Sequence, residues 1–318
     1  MAAIPPRPSA SNERLTVGHG RITCSLHGSS VVFSELSSTY PLKLLSPRLA
    51  VPAVAIVYVL CYGGGLVSGD RVKLKVDVEG GCKLLLLSQG STKVFKTRSG
   101  DRASTSLRQP AHLGIPENVT TQITDVSIAP KSAVFLLPDP VTCFRSASYT
   151  QIQRFHLLGD ASLVLLDWVA AGRKSLGEEW EFSRYYSVNE VFLDGRRITR
   201  DIMLLEDFSL QSQPPGSIQL HRTLKERLRP YSCYAMLVLC GPLAQEVAAQ
   251  LSREYQSISI FKTSPARLVW ALSPIEEGKT YVVRVAGIEI EDVKSWLRDA
   301  LRGFENIIGI DTYRKAFV

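Results

Sequence analysis

The 318-residue sequence has few of the features from which enzymes and metal-binding proteins build a tight site. Its five histidines form no H-x-x-x-H or H-E-x-x-H spacing, and its six cysteines form no C-x-x-C pair. It also lacks the G-x-S-x-G elbow of serine hydrolases, and the glycines at 63–69 are not followed by the lysine of a phosphate-binding loop. These absences argue against a catalyst and against a closed His/Cys metal cage.

Long apolar runs and export signals are also missing. No stretch reaches the ~18 uninterrupted apolar residues of a membrane span. The first residues, MAAIPPRPSASNER, lack the apolar core of a secretory signal. We therefore expect a soluble cytoplasmic protein with a disordered tail at residues 1–15 and with reduced, buried thiols rather than disulfides.

Basic residues exceed acidic ones by 37 to 30, which gives a formal charge of +7, but they are scattered along the chain. No run of five basic residues occurs, whereas a nucleic-acid interface requires a clustered basic stripe. A nucleic-acid binder therefore remains a minor alternative. The excess charge reflects either a surface that favours acidic protein partners or ordinary solubility.

A glycine segment, YGGGLVSGD, begins at Tyr62 and resembles a dinucleotide-binding loop. Its glycines follow an apolar run at 54–61, as they would in an NAD(P)-dependent oxidoreductase that uses a Gly63–Gly69 loop. That alternative requires a helix directly after Gly69. The next residues instead alternate between apolar and charged side chains, which predicts a half-buried strand.

Most of the chain, from residue 16 to about 208, shows short apolar or alternating runs separated by turn residues, which predicts an extensive β structure. Gly80 and Gly81 predict a tight hairpin turn between two of these strands. Further hairpins are predicted for residues 151–158 with 161–166 and for residues 185–193 with 196–205. The polar stretch 98–121 is predicted to be an exposed loop.

The last third has a different pattern. Strands are predicted at 234–239, 267–272 and 279–286, and helical periodicity appears at 243–255 and 291–301. The sequence thus divides into a β body at 16–210 and an α+β part at 217–318, with a boundary at 211–216. We nevertheless treat 16–318 as a single domain.

Five blocks carry a family resemblance. They are YPLKLLSP at 40–47, GGGLVSGD at 63–70, QGSTKVFK at 89–96, LPDPVTCF at 137–144 and DWVAAGRKSLGEEWEF at 167–182. In this order they resemble urease accessory proteins of the UreD/UreH family, in particular fungal or plant members. The resemblance implies a mainly β fold: a large, layered, β-helix-like sheet body with a small C-terminal α+β portion containing two helices.

The resemblance also implies a function. A UreD-type protein is a non-catalytic scaffold that binds apo-urease and a UreF-type protein, and through the latter a UreG-type GTPase. It helps to deliver nickel to urease through a polar passage. We therefore expect no enzymatic activity, no tightly bound cofactor, nickel in transit, and neither nucleic acid nor membrane as a partner.

Two sets of site residues follow. The candidate structural or partner-binding positions are Gly63, Gly64, Gly65, Gly69, Gln89, Thr92, Lys93, Arg173 and Gly177. The candidate residues of the nickel passage are Asp70, Asp139, Asp167 and Glu178.

Several of these residues have a second interpretation. Asp70 can instead lock the glycine turn through backbone N–H groups. Arg173 can pair with a nearby carboxylate and stiffen its own turn, or belong to a cluster that faces a partner or an ion path. The polar residues 89–93 form either an internal network or part of a partner surface.

Overall fold

The structure is a computed structural model that describes residues 16–49, 51–97, 116–207, 222–258 and 266–317. The expected tail at 1–15, residues 98–115 of the expected loop and the boundary at 211–216 lie outside these ranges. Seven strands form one sheet, sheet A: β1 (His19–His27), β2 (Ser30–Ser38), β5 (Arg71–Val78), β8 (Thr120–Ile128), β11 (Ser148–Leu157), β13 (Arg184–Leu193) and β14 (Arg196–Glu206).

Ten strands form the second sheet, sheet B: β3 (Leu42–Leu45), β4 (Val54–Cys61), β6 (Lys83–Leu87), β7 (Thr92–Val94), β9 (Ala133–Leu136), β10 (Val141–Cys143), β12 (Ser162–Ala170), β15 (Cys233–Cys240), β16 (Leu268–Ile275) and β17 (Thr280–Gly287). The helices are α1 (Leu224–Leu228), α2 (Gln245–Gln256), α3 (Ile290–Ala300), α4 (Glu305–Ile308) and α5 (Ile310–Lys315).

The chain crosses repeatedly from one sheet to the other. Strands β4, β6, β9 and β12 run parallel in sheet B, while β5, β8, β11 and β13 run parallel in sheet A. Because these two sets alternate along the sequence, each strand pairs with the strand one coil away rather than with its immediate successor. The expected mainly β, layered and β-helix-like body is confirmed.

The sequence contains continuously apolar strands and alternating strands, and the number of covered faces of each sheet explains the difference. Sheet B lies between sheet A and the helices, so Leu84 and Leu86 enter one core while Leu85 and Leu87 enter the other. A strand buried on both faces needs a continuous apolar run. Sheet A has one covered face, and its β5 accordingly alternates between buried Val72, Leu74, Val76 and Val78 and more exposed charged residues.

Two of the three expected hairpins are wrong. Gly80 and Gly81 have the predicted positive φ values of 67° and 81°, but they connect β5 in sheet A to β6 in sheet B. The turn at Gly159 likewise joins β11 to β12 across the sheets. Positive φ serves a solenoid corner as well as a hairpin, so turn residues alone do not distinguish them. The third hairpin, β13–β14, is confirmed as an antiparallel pair.

The C-terminal part continues sheet B. Strand β15 pairs with β12, and β17 and β16 follow it to the sheet edge, so the described strands before and after the expected boundary share one sheet. The two expected helices are confirmed as α2 and α3. The short helices α1, α4 and α5 were missed, because segments of four to six residues give too little periodicity to recognise.

The glycine segment leads into a strand. Arg71 begins β5 immediately after Asp70, so the helix that a dinucleotide site requires does not follow Gly69. The segment packs instead against the third family-like block, at 89–96: Leu66 N–H donates to Lys93 O at 2.8 Å, and Phe95 N–H donates to Leu66 O at 2.9 Å. Nothing in this geometry supports the oxidoreductase alternative.

Two neighbouring glycines in this segment make a matched test. Gly65 is extended, with φ 165°, but a Cβ atom there would lie 2.5 Å from Lys93 O. Gly64 has φ +76° and open space around it. We expect Gly65→Ala to lower the free energy of unfolding by about 2–3 kcal/mol through the clash. Gly64→Ala should cost about 1 kcal/mol through its backbone alone. Urea unfolding of both variants checks this, and equal losses would contradict it.

Candidate functional site

Polar side chains interrupt the apolar core between the two sheets. On the inward face of sheet A, Gln122 of β8 pairs in register with Gln151 of β11, and Gln151 pairs with Ser187 of β13. One step along, Gln153 lies beside Asn189. Such a group of buried polar residues needs hydrogen-bond partners, because each unsatisfied polar atom in the interior is costly.

Asp167 of β12 faces this group from sheet B. Its Oδ1 accepts a hydrogen bond from Gln151 Nε2 at 3.0 Å. Its Oδ2 accepts from Ser187 Oγ at 2.6 Å and from Asn189 Nδ2 at 2.7 Å. Tyr185 OH lies 3.5 Å from Oδ1. One carboxylate therefore ties β12 to two strands of the opposite sheet.

Burial is the main influence on the pKa of the Asp167 carboxyl, because this residue is only 8% exposed. The loss of water raises the pKa of its carboxyl above the ordinary value, although the three donors act in the opposite direction and favour the charged form. The nearby negative charge of Asp201 raises the pKa further. Burial therefore penalises the charged carboxylate, and its three hydrogen-bond donors offset part of that penalty.

An internal cavity of about 60 Å³ adjoins this carboxylate. Its lining combines buried Gln151, Gln153 and Asp167 with half-buried Thr92 and Asp139. The volume is enough for a few water molecules, since one needs roughly 10–15 Å³. Apolar side chains, among them Leu74, Leu86 and Leu136, complete the lining, so the cavity is a mixed polar and apolar space between the two sheets.

Two buried oxygen atoms near this site have no protein donor. Gln153 Oε1 and Asn189 Oδ1 are both fully enclosed and make no hydrogen bond within the described residues. Gln153 lines the cavity, and Asn189 is bonded to Asp167 through its amide nitrogen. Buried acceptors of this kind call for a water molecule or a cation.

Asp139 contributes a second carboxylate to the cavity lining. Its Oδ2 accepts from Gly90 N–H at 2.9 Å and from Ser88 Oγ at 3.2 Å, while its own N–H donates to Ser88 Oγ at 2.7 Å. These contacts join two family-like blocks. Beside them, Trp168 Nε1 donates to Pro138 O at 2.8 Å, which fixes the indole in the second core.

The other two acidic candidates lie in turns and are not among the cavity-lining residues. Asp70 Oδ2 accepts a hydrogen bond from Val67 N–H at 2.8 Å and so closes the glycine turn. Glu178 accepts from Arg173 Nε at 2.9 Å and from Nη2 at 2.5 Å. This pairing with Arg173 lowers the pKa of the Glu178 carboxyl.

The Arg173 turn is stiffened further by its surroundings. The guanidinium lies over the Phe144 ring, 4.2 Å from the centroid. Gly177 ends the turn in a left-handed conformation with φ 74°. Gly172 approaches the Glu178 backbone so closely that a Cβ would lie 2.8 Å from its carbonyl oxygen. The arrangement matches the structural interpretation of Arg173, which pairs bidentately with one carboxylate.

The remaining candidate positions separate into exposed and internal ones. Gln89 and Lys93 are exposed, as are Gly63 and Gly64, whereas Thr92 lines the cavity. Gly69 takes a positive φ of 77° beside Asp70. Thus the 89–93 segment presents side chains to both the interior and the surface.

Sequence reasoning missed the partners of Asp167 in sheet A, which are Gln151, Ser187 and Asn189. Each occupies a position where strand alternation points the side chain inward. Three polar residues at inward positions of β11 and β13 were the available signal, but it becomes meaningful only once the register is known.

The cysteines, the acidic and histidine side chains as a group, and the helices add no second candidate site. All six cysteines are free thiols, five buried and Cys61 half-buried. Across the described residues, no group of three or more His, Cys, Asp and Glu side chains could hold a metal ion. Within the same ranges, no helix has the length and apolar character needed to cross a membrane.

Comparison with known proteins agrees with the motif blocks. The family model described as UreD urease accessory protein matches residues 16–314. Urease accessory protein 4 of Cryptococcus neoformans var. grubii is 36% identical, over 95% of this chain and 94% of its own length. Urease accessory protein D of Arabidopsis thaliana is 32% identical, over 92% and 99% respectively.

The chain belongs to the UreD urease accessory protein family. The similarity to these fungal and plant proteins confirms the family that the sequence blocks predicted. A bacterial relative, urease accessory protein UreD of Sorangium cellulosum, is 32% identical over 94% of this chain. The matched range of this UreD-family chain includes both sheets and the cavity between them.

The raised pKa of Asp167 makes stability depend on pH. An unfolded Asp titrates near 3.9, so the folded state retains its proton above that pH and binds more protons than the unfolded state. The contribution of Asp167 to stability must then fall as pH rises through this window. We expect Asp167→Asn to unfold with a shallower decline above about pH 4. Urea unfolding across pH checks this, and parallel curves for both proteins would contradict it.

Proposed function

We propose that this chain is a non-catalytic maturation factor of urease, acting in the cytoplasm. In this proposal it binds apo-urease and a UreF-type protein, joins a UreG-type GTPase through the latter, and helps nickel to reach the urease active site. Family membership supports the accessory role. The observation that carries the nickel step is the internal cavity with two carboxylates and an unpaired buried amide oxygen in its lining.

The chemistry of the cavity suits a cation that passes through. Asp139, Asp167 and Gln153 offer oxygen atoms, which are hard ligands. First-row metals such as nickel bind more tightly to sites that contain imidazole or thiolate. A path of oxygen donors therefore holds nickel weakly enough to release it. Nickel is the cargo in this proposal and no resident metal is required.

The burial of Asp167 fits the same role. A charged carboxylate is costly in this site, and a cation that arrives beside it would offset part of that cost. Asp139 is half-buried and fixed by Ser88 and Gly90, so it is placed to contact the cargo nearer to solvent. We assign the two cavity carboxylates to the passage itself.

In this proposal Asp70 and Glu178 do not contact the cargo and instead hold turns outside the cavity lining. Asp70 fixes the glycine turn that packs on residues 93–95, and Glu178 fixes the Arg173 turn. Replacing them should disturb the shape of these loops before it affects the cavity. The proposal therefore separates carboxylates that line the passage from carboxylates that hold its surroundings.

Single replacements test this separation. We expect Asp139→Asn and Asp167→Asn to lower urease activation in a reconstituted assembly by about tenfold, with complex formation intact, because each removes a charged oxygen ligand. Asp70→Asn and Glu178→Gln should mainly lower stability. Activity of the reconstituted urease and its nickel content are the measurements.

Exposed Asp311, which is remote in sequence from these blocks, provides the matched control as Asp311→Asn. It should activate urease as the unaltered protein does. Normal activation and nickel content with both Asp139→Asn and Asp167→Asn, in assembled complexes, would remove the proposed passage.

The C-terminal helices offer a surface for the UreF-type protein. A surface cleft of about 600 Å³ lies against α2, α3 and the segment after α3. It is lined by Glu254, Asp299 and Glu305 together with Trp296 and Arg302. A half-buried aromatic ring surrounded by acidic groups fits a partner side chain that is apolar with a positive end.

Charge reversal on α2 tests this surface. We expect Glu254→Lys to weaken binding of a UreF-type protein by about tenfold, because it places a positive charge in an acidic cleft. Glu246→Lys lies on the same helix, is exposed and does not line the cleft, so it is the control. Binding measured by calorimetry decides; equal affinities for the two variants would rule out the assignment.

A further inference from the structure

The buried polar cluster continues beyond the cavity along one row of sheet A. Strand register places Gln153 of β11 beside Asn189 of β13, and Asn189 beside Asp201 of β14, the last described strand at this end of the sheet. Gln153 lines the cavity, whereas Asn189 and Asp201 are not in its lining. Neighbouring strands lie about 4.8 Å apart, so the row leads about 10 Å from the cavity lining to the margin of the sheet.

The row contains two buried acceptors without donors. Gln153 and Asn189 are 5% and 2% exposed, and the side-chain oxygen of each makes no hydrogen bond within the described residues. These two oxygen atoms belong to successive residues of the row that ends at Asp201. Buried acceptors are costly unless a donor or a positive charge meets them. The row is therefore suited to water molecules or to a cation that moves along it.

An ion pair between the two sheets lies at the end of the row. Asp201 Oδ1 accepts a hydrogen bond from Arg284 Nη2 of β17, in sheet B. The Asp201 side chain is only 11% exposed, whereas that of Arg284 is 59% exposed. Arg284 also lies two strands from Asp167 in one row of sheet B, with buried Met236 between them. A largely exposed guanidinium thus meets a largely buried carboxylate where sheet A ends.

The surrounding charges identify Arg284 as the group that balances Asp201. The three other arginines of β14 pair with different carboxylates, those of Glu190 and Glu276. Among the ion pairs of the described residues, Asp201 has only the one with Arg284. The negative charge of Asp201 also reaches inward, because it raises the pKa of the Asp167 carboxyl. A cation that replaced the guanidinium at Asp201 would therefore meet a second carboxylate further inside.

We propose that the cation passage has a second opening between β14 and β17, where Asp201 is the outermost carboxylate and Arg284 is the gating residue. This inference rests on the proposed function and adds an opening to it. A passage needs two ends: half-buried Asp139 lies at one, and the row through Asn189 leads to the other. The guanidinium repels an approaching cation and occupies its ligand. Because ion pairs with an exposed partner are weak, a divalent cation can displace Arg284 from Asp201.

The test titrates Ni²⁺ into the full chain, prepared without a histidine tag, and measures the affinity by calorimetry. We expect Arg284→Gln to bind Ni²⁺ about tenfold more tightly, because no guanidinium then competes for Asp201. Asp201→Asn should bind Ni²⁺ about tenfold more weakly. In the double variant the arginine replacement should have no further effect, since its influence acts through Asp201. Arg284→Lys keeps the positive charge and should bind as the unaltered chain does.

The matched control is Arg196→Gln, which breaks an ion pair between β14 and Glu276 in the β16–β17 connection and should leave the affinity for Ni²⁺ unchanged. Equal effects of Arg284→Gln and Arg196→Gln would overturn the inference. A lower stability to urea with unchanged Ni²⁺ affinity would do the same, because it would show a merely structural ion pair.

Urease activation separates this inference from the proposed function. If Asp139→Asn and Asp167→Asn impair activation while Arg284→Gln binds Ni²⁺ as the unaltered chain does, the passage stands and the gating role of Arg284 is wrong. If neither the unaltered chain nor Arg284→Gln binds Ni²⁺, the inference also fails. Normal activation with Asp139→Asn and Asp167→Asn would remove the passage itself and the inference with it.

Discussion

The stacking of parallel strands in two facing sheets is the constraint on which the remaining features depend. Each coil places one strand in sheet A and the next in sheet B, so every inward side chain must fit between two sheets. Sheet B is then covered on both faces, because the helices close its far side. Within the described residues, no further layer covers the outward face of sheet A. Core composition and the buried polar cluster both follow from this asymmetry.

Asp167 shows what this arrangement permits. A carboxylate between two sheets is costly unless donors meet it, and here the opposite sheet supplies Gln151, Ser187 and Asn189. Such a cluster contributes less to stability than an apolar core of the same volume would. A role in the proposed passage would account for such a cluster in this layer, which connects the energetics of the fold to the proposed function.

The sequence predicted the type of most strands and both long helices, because alternation and helical periodicity are local. It did not predict which strands pair. Gly80 and Gly81 have the backbone expected of a tight turn, yet the strands on either side belong to different sheets. Asp139 and Asp167 could be named from the sequence because each lies in a family-like block. Gln153 and Asn189 could not, because their positions beside Asp167 depend on strand register, which is a non-local property.

Weak cargo binding and firm partner binding place opposite demands on one chain. The proposed passage for nickel would require few, hard ligands and a small space, and the cavity between the sheets has two carboxylates in its lining and a volume of about 60 Å³. Partner binding requires area, and area is available only on outer surfaces. A solenoid satisfies both demands, since its interior and its outward faces are formed by alternate residues of the same strands. In β13, Ser187 and Asn189 point to Asp167 while Tyr186 and Val188 point outward. A partner bound to this outward face would therefore contact a strand that holds the buried carboxylate, which gives partner binding a physical route to the proposed passage.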